Sequence, residues 1–320
     1  MSEMTARELI NPTILAEIIE KVCVSVIMPP QKLTIFEMFD AYLKDKDQVL
    51  SPCTIRFYRI VQKNRFQSIM GLCPQDMTKV DWQRAVNEEA RFFAPKTIDG
   101  SFKSIKTVVL AQSGMQVPSV RLPSKIASRK KFLQPAEVPR FVAAVAATKY
   151  AVPLLLALSS MRISEIDALD WRDIPSNPDF VFVRGARVLN EENKYIRKEQ
   201  NKNETSSRPV PILIPELKAA LERDRRRAGA VMPCSQNNLR LACHRICKSA
   251  GITDVGVHEL RHSFASLCYH LRVPEEIAAQ IGGWADVGTM RKIYTHIAQT
   301  DITRYQGALQ DFYNSTSALK

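Results

Sequence analysis

The chain has 320 residues, with 45 Lys or Arg against 33 Asp or Glu, a net charge of +12. That length suits two domains, and the cationic surplus excludes an acidic-tail protein and points to a polyanionic partner, nucleic acid or a membrane surface. The composition, 45% apolar and 24% charged, supports buried cores and excludes a disordered chain, while no apolar run approaches the ~20 residues that span a bilayer.

Residues 1–31 hold two basic and four acidic side chains and read as a short N-terminal extension without a secretory leader. Residues 32–131 hold eighteen basic and nine acidic ones, a net of +9, which leaves +5 for the rest. Concentrating cations in this way is what phosphate neutralisation with counterion release asks for. The segment reads as helical. Ser51 followed by Pro52 is a helix start, with Ile55, Tyr58, Ile60 and Val61 as its apolar stripe and Arg56, Arg59, Lys63 and Arg65 largely on other faces. Thr78, Asp81 and Trp82 open a second helix. Ala94 and Pro95 open a third, with Ile98, Phe102, Ile105 and Val109 at helical spacing and Lys96, Lys103 and Lys106 beside them. A helical DNA-binding domain over 32–116 is therefore expected. Residues 117–131, with two prolines and the basic run Arg129, Lys130, Lys131, read as a charged linker.

Residues 132–147 read as an amphipathic helix and 152–158 as an apolar one. Phe180–Val183, Ala186–Leu189 and 208–213 are β-rich, and the pattern turns helical again from Pro215. The expected second domain, 132–320, is α-rich with one small antiparallel sheet. Seven Cys at irregular spacing read as reduced thiols of a cytoplasmic chain. Cys243 and Cys247, with His244 between them and Cys234 upstream, lack a further ligand pair of zinc spacing, so buried cysteines and no metal are expected. No Asp/Glu cluster suits a pair of magnesium ions either, so no cofactor is expected.

Arg162 and Glu165 stand in RISE, just after the apolar helix; taken alone, that spacing is an ordinary i,i+3 ion pair. His258 and Arg261 share a helix face in HELRHSFAS, and Gly283-Trp284 precedes Tyr294 of IYTHI by ten residues. In this order, with Lys202 on a β-turn, the set resembles the tyrosine recombinases, the phage integrase family. The resemblance covers about 290 residues. It implies a mainly α chain: an N-terminal all-α core-binding (SAM-like) domain, then a catalytic domain of the DNA breaking-rejoining fold, its tail at 301–320. Lys202, followed by Ser206, Arg208, Val210 and Pro211, looks like the family's hairpin lysine, with Lys198 as the alternative register. Trp284 departs from the commoner His; an alternative alignment puts Gly283 there.

The family's chemistry asks for these residue types. Tyr294 is expected to attack the scissile phosphorus and form a 3′-phosphotyrosyl link. Arg162 and Arg261 offer permanently charged forks that suit a phosphate. His258 is placed to hydrogen-bond the phosphate and move a proton near neutrality, and Trp284 keeps one N–H donor. By resemblance Lys202 protonates the leaving 5′-oxygen and Glu165 orients the cluster from behind. The resemblance also implies double-stranded DNA held between the two domains, a homotetramer that exchanges strands through a Holliday junction, and a possible directionality factor. A mobile-element integrase of phage or bacterial origin is the expected role. Chromosome-dimer resolution, a type IB topoisomerase-like enzyme and a catalytically silent DNA-binding regulator are the alternatives.

Overall fold

The computed structural model describes residues 32–125, 131–176, 178–198, 208–291, 306, 307 and 310. The chain divides into two compact units, Met1–Ile126 and Ala127–Lys320.

Helices of the first unit begin where local chemistry dictates. Thr34 caps α1 (Ile35–Asp45), and the Glu37 carboxylate returns to the Thr34 backbone N–H at 2.8 Å. Ser51 caps α2 (Pro52–Asn64), with Pro at its first position. After the short α3 (Gln67–Met70), Thr78 and Asp81 close the same reciprocal box on α4 (Lys79–Glu89). Pro95 opens α5 (Pro95–Ser113), which ends at Gly114 in the left-handed region. Each box satisfies two otherwise orphaned backbone donors. The apolar faces of these helices bury Phe39, Val61, Phe66, Trp82, Phe102 and Ile105 in one core. Residues 117–125, the described part of the stretch read as a linker, lie along this unit. Val117 is buried, and Gln83 exchanges two hydrogen bonds with the Arg121 backbone at 2.8 and 3.0 Å.

In the second unit a 3₁₀ turn (Pro135–Glu137) leads into α6 (Val138–Ala146). Then comes α7 (Ala151–Leu158), all eight of whose residues are buried. The short α8 (Ile163–Asp167) follows. The single sheet expected from sequence is, among the described residues, two antiparallel ladders. Strand β1 (Phe180–Val183) pairs with β4 (Arg208–Pro211), and β2 (Ala186–Leu189) with β3 (Tyr195–Lys198). The polar run between the expected strands hid β3, because a half-exposed hairpin strand needs little apolar side chain. Its turn is set by Asn193 at φ 60° and by the Asn190 side chain, which accepts from Lys194 N at 2.8 Å. Helices α9 (Pro215–Arg223), α10 (Gln236–Ser249), α11 (Val257–His270) and α12 (Glu275–Gly282) complete the unit. The main core gathers around α7, and a smaller one joins α11 to α12 through Phe264, Ala265, Ala278 and Met290. Cys243 and Cys247 are buried on α10, their thiols directed to Val255 O at 3.3 and 3.8 Å. Among the described residues no helix is long and apolar enough to cross a membrane.

Candidate active site: an arginine cluster on two helix ends

Helices α7 and α12 of the second unit end in the same way. After α7, Ser160 turns left-handed at φ 77°, with Ser160 N bonded to Ala157 O and Met161 N to Leu156 O, both at 3.0 Å. After α12, Gly283 turns left-handed at φ 63°, with Gly283 N bonded to Gln280 O at 3.2 Å and Trp284 N to Ala279 O at 3.0 Å. Both are Schellman turns, which leave carbonyls pointing out at the negative end of the helix dipole. Glycine is the residue suited to that backbone; Ser160 holds it at a cost of about 1 kcal/mol.

Three arginines use those carbonyls. Arg261, on α11, is 2% exposed. It donates to Ser160 O, to Gly282 O at 2.6 Å and to Gly283 O at 3.4 Å. Arg162, at the N-terminus of α8, donates to Gly283 O at 3.3 Å. Arg208, the first residue of β4, donates to Ser160 O and Ile281 O, both at 3.3 Å. The carboxylate of Glu165 lies between two of them, 2.6 Å from Arg162 Nη1 and 3.2 Å from Arg208 Nη2. It also accepts from the Arg162 backbone N–H at 2.9 Å, which closes the first turn of α8. Glu165 is 2% exposed, so this is no surface i,i+3 pair.

The Trp284 ring covers the Arg261 guanidinium at 4.1 Å and stacks on Phe264 with centroids 6.3 Å apart. Both glycines before it are used. A Cβ on Gly282 would fall 1.9 Å from the Trp284 ring, and one on Gly283 would fall 2.5 Å from Arg208 Nε. The electrostatics are those of crowded like charge. Burial, then the charges of Arg162 and Arg208, push the Arg261 guanidinium down to about 9, where it is still cationic at neutral pH. Burial raises the Glu165 carboxyl, but Arg208 and Arg162 outweigh it and hold the group below its usual range. Three guanidinium charges against one carboxylate leave a surplus of two positive charges, so the cluster suits a phosphate.

Of the residues expected from sequence, the structure brings together Arg162, Glu165, Arg261 and Trp284. His258 is exposed, one turn before Arg261 on α11, its ring 4.8 Å from that of His262. Asp167, two residues beyond Glu165, fastens the β2–β3 hairpin. It lies 3.6 Å from Arg187 and accepts from Gln236 at 3.0 Å. Lys198 ends that hairpin opposite Ala186. Lys202 and Tyr294 lie outside the described residues, as do Arg129 and Lys130. Arg208, named in the sequence only as part of the strand after the hairpin lysine, is the site residue that sequence reasoning missed. It is 7% exposed, and the alternation of Arg208 and Val210, both buried on one face of β4, is the signal that could have found it.

In the first unit, Lys63, Lys96, Lys103 and Lys106 are exposed, as is Lys131 in the second. Lys103 lies 3.0 Å from Asp99. Arg59 is tied to Asp40 and, at 2.9 Å, to Gln62. Arg65 lies 3.8 Å over the Phe93 ring, and Arg56 is half-buried.

Compared with known proteins, residues 131–301 match the phage integrase family. The chain belongs to the phage integrase family. Curated relatives of this integrase-family chain include the integrase of Salmonella phage P22, 21% identical over 219 residues, and a XerC-like tyrosine recombinase of Caldanaerobacter subterraneus subsp. tengcongensis, 26% identical over 192 residues. Those alignments take in 63% and 51% of this chain, and 52% and 49% of the relatives. The chain thus spans about half the length of the curated relatives it matches. Among solved structures, the Tn1549 transposon integrase in complex with transposon right-end DNA superposes with a TM-score of 0.67 at 16% identity, over 85% of this chain and 99% of that one. A lambda integrase tetramer bound to a Holliday junction gives 0.58 at 16% identity, over 88% and 85%. These likenesses establish a shared fold.

Proposed function

We propose that this chain is a site-specific DNA recombinase that cleaves and rejoins duplex DNA through a 3′-phosphotyrosyl intermediate, and that it serves the integration and excision of a mobile element. The observation that carries the proposal is the pair of helix-end turns that gather Arg162, Arg208 and Arg261 around one buried carboxylate, paired with the first two, and leave two surplus positive charges. A phosphodiester carries one negative charge, and the five-coordinate state formed on attack carries nearly two. The surplus therefore matches the transition state better than the ground state, which is the condition for catalysis. Tyr294 is the nucleophile in this reading, and its phenol loses its proton more easily in cationic surroundings. Lys202 protonates the departing 5′-oxygen, and His258 donates to a phosphate oxygen. The bond energy is kept in the phosphotyrosyl ester, so rejoining needs no nucleotide. The DNA-bound integrase structures of the same fold support duplex DNA as substrate, and the lambda tetramer on a Holliday junction supports a tetrameric synapse.

The test is covalent trapping. Wild-type protein incubated with DNA carrying its recombination site should yield a protein–DNA adduct stable to denaturant. Tyr294→Phe should yield none while binding the same DNA within about threefold, since only one oxygen is lost. An adduct formed by Tyr294→Phe would falsify the assignment of the nucleophile. A wild-type protein that binds but never forms an adduct would favour a silent regulator.

A further inference from the structure

Arg208 contributes its charge to the cluster, but the proposed chemistry assigns it no contact with the DNA, and stability does not explain it. Its side chain is 6% exposed and its ion pair with Glu165 is buried. Taking two such charges out of water commonly costs more than their attraction returns, and an apolar pair of similar size is often as stable. Its donors face inward: Nε to Ile281 O, Nη1 to Glu165, and Nη2 to both Glu165 and Ser160 O. Four of its five N–H positions are thereby engaged. Arg162, by contrast, is 38% exposed while sharing the same carboxylate. The chain also gives up a side chain at Gly283 to admit the Arg208 guanidinium.

We infer that Arg208 is a positioning residue for the phosphate-binding arginines: by pairing with Glu165 it keeps that carboxylate from neutralising Arg162, so that Arg162 and Arg261 keep their charge for the DNA phosphate. Glu165 is needed where it stands, because it closes the first turn of α8 and fixes Arg162 at the helix start. Its negative charge, though, opposes phosphate binding at the same guanidinium. Arg208 cancels that charge from the buried side and leaves the geometry in place. Ser160 O, shared by Arg208 and Arg261, links this cancellation to the second phosphate ligand. Without Arg208 the local surplus falls from two charges to one.

This rests on the recombinase reading, and the experiment separates the two. Cleavage is measured in single turnover on a DNA half-site, at a temperature where thermal melting shows each variant folded. Arg208→Met should cleave ~10²-fold more slowly than wild type, with half-site affinity within about threefold. The double variant Arg208→Met/Glu165→Gln restores the two-charge surplus and should recover at least ~10-fold of that loss. A purely structural role lowers the melting temperature without slowing the folded molecules. Arg208→Met cleaving at the wild-type rate, or a double variant no faster than the single, overturns the inference. Should Arg208→Met not fold, Arg208→Lys decides: it keeps the charge, so cleavage within ~10-fold of wild type supports the inference and a folded variant slower by ~10² overturns it. Wild-type protein that forms no adduct overturns the recombinase reading itself.

Discussion

The two units of this chain both carry more cations than anions, and they place them in opposite ways. In the first unit Lys96, Lys103 and Lys106 line the exposed side of α5, and the ion pairs there are surface pairs such as Lys103–Asp99. In the second unit Arg208 and Arg261 are buried and bonded to backbone carbonyls at two helix ends. An exposed lysine costs little to place and acts over a distance that salt screens; it supplies affinity without geometry. A buried guanidinium is costly to place, and the carbonyls that offset the cost also fix its orientation. The first arrangement suits holding a polyanion, the second suits acting on one phosphate.

This contrast can be broken or sharpened at four places. The largest effect is expected at Arg261. Arg261→Lys keeps the charge but cannot reach Ser160 O, Gly282 O and Gly283 O together, so cleavage should fall by ~10³-fold with half-site binding nearly intact. Equal losses in cleavage and binding would erase the distinction between the two units. Next comes Gly283→Ala, which forces a methyl group against Arg208 Nε at a left-handed position. It should cost about 2–3 kcal/mol, a fall in melting temperature of roughly 5–10 °C for a unit of this size. A melting curve unchanged by this substitution would show that the α12 turn is not fixed as described.

Smaller effects belong to the first unit. Replacing Lys96, Lys103 and Lys106 together with Ala should flatten the dependence of DNA affinity on salt by ~0.9 in log–log slope for each phosphate that is no longer neutralised. The fraction of bound DNA that is cleaved should not change. The smallest effect is expected at Arg59, which is held by Asp40 and Gln62. Arg59→Ala should leave the salt slope unchanged and destabilise by about 1 kcal/mol or less in urea unfolding. A salt slope altered by Arg59→Ala and not by the triple lysine variant would reverse the assignment of the basic face.

Much of this could be read along the chain, and what could be read was local. Ser51-Pro52, the Thr78/Asp81 box and Pro95 mark helix starts because capping is settled within four residues. The all-apolar run of α7 declares its own burial, and the order of Arg162, His258, Arg261 and Tyr294 carries the family resemblance in the residue types themselves. Strand β3 was hidden because Tyr195 and Ile196 are only half-buried and the other two positions are basic. Its place depends on pairing with β2, not on its own side chains.

Arg208 shows where sequence stops. Its neighbours Pro209 and Val210 say only that it begins a strand. Its partners are Ser160, Glu165 and Ile281, 48, 43 and 73 positions away. Nothing in the spacing of those residues states that two helices end side by side, or that their carbonyls accept from the same guanidinium. A cap is legible because its donor and acceptor are neighbours in the chain. The arginine cluster exists because tertiary packing brings the ends of α7 and α12 together, and their carbonyl oxygens offset the buried cations' loss of water.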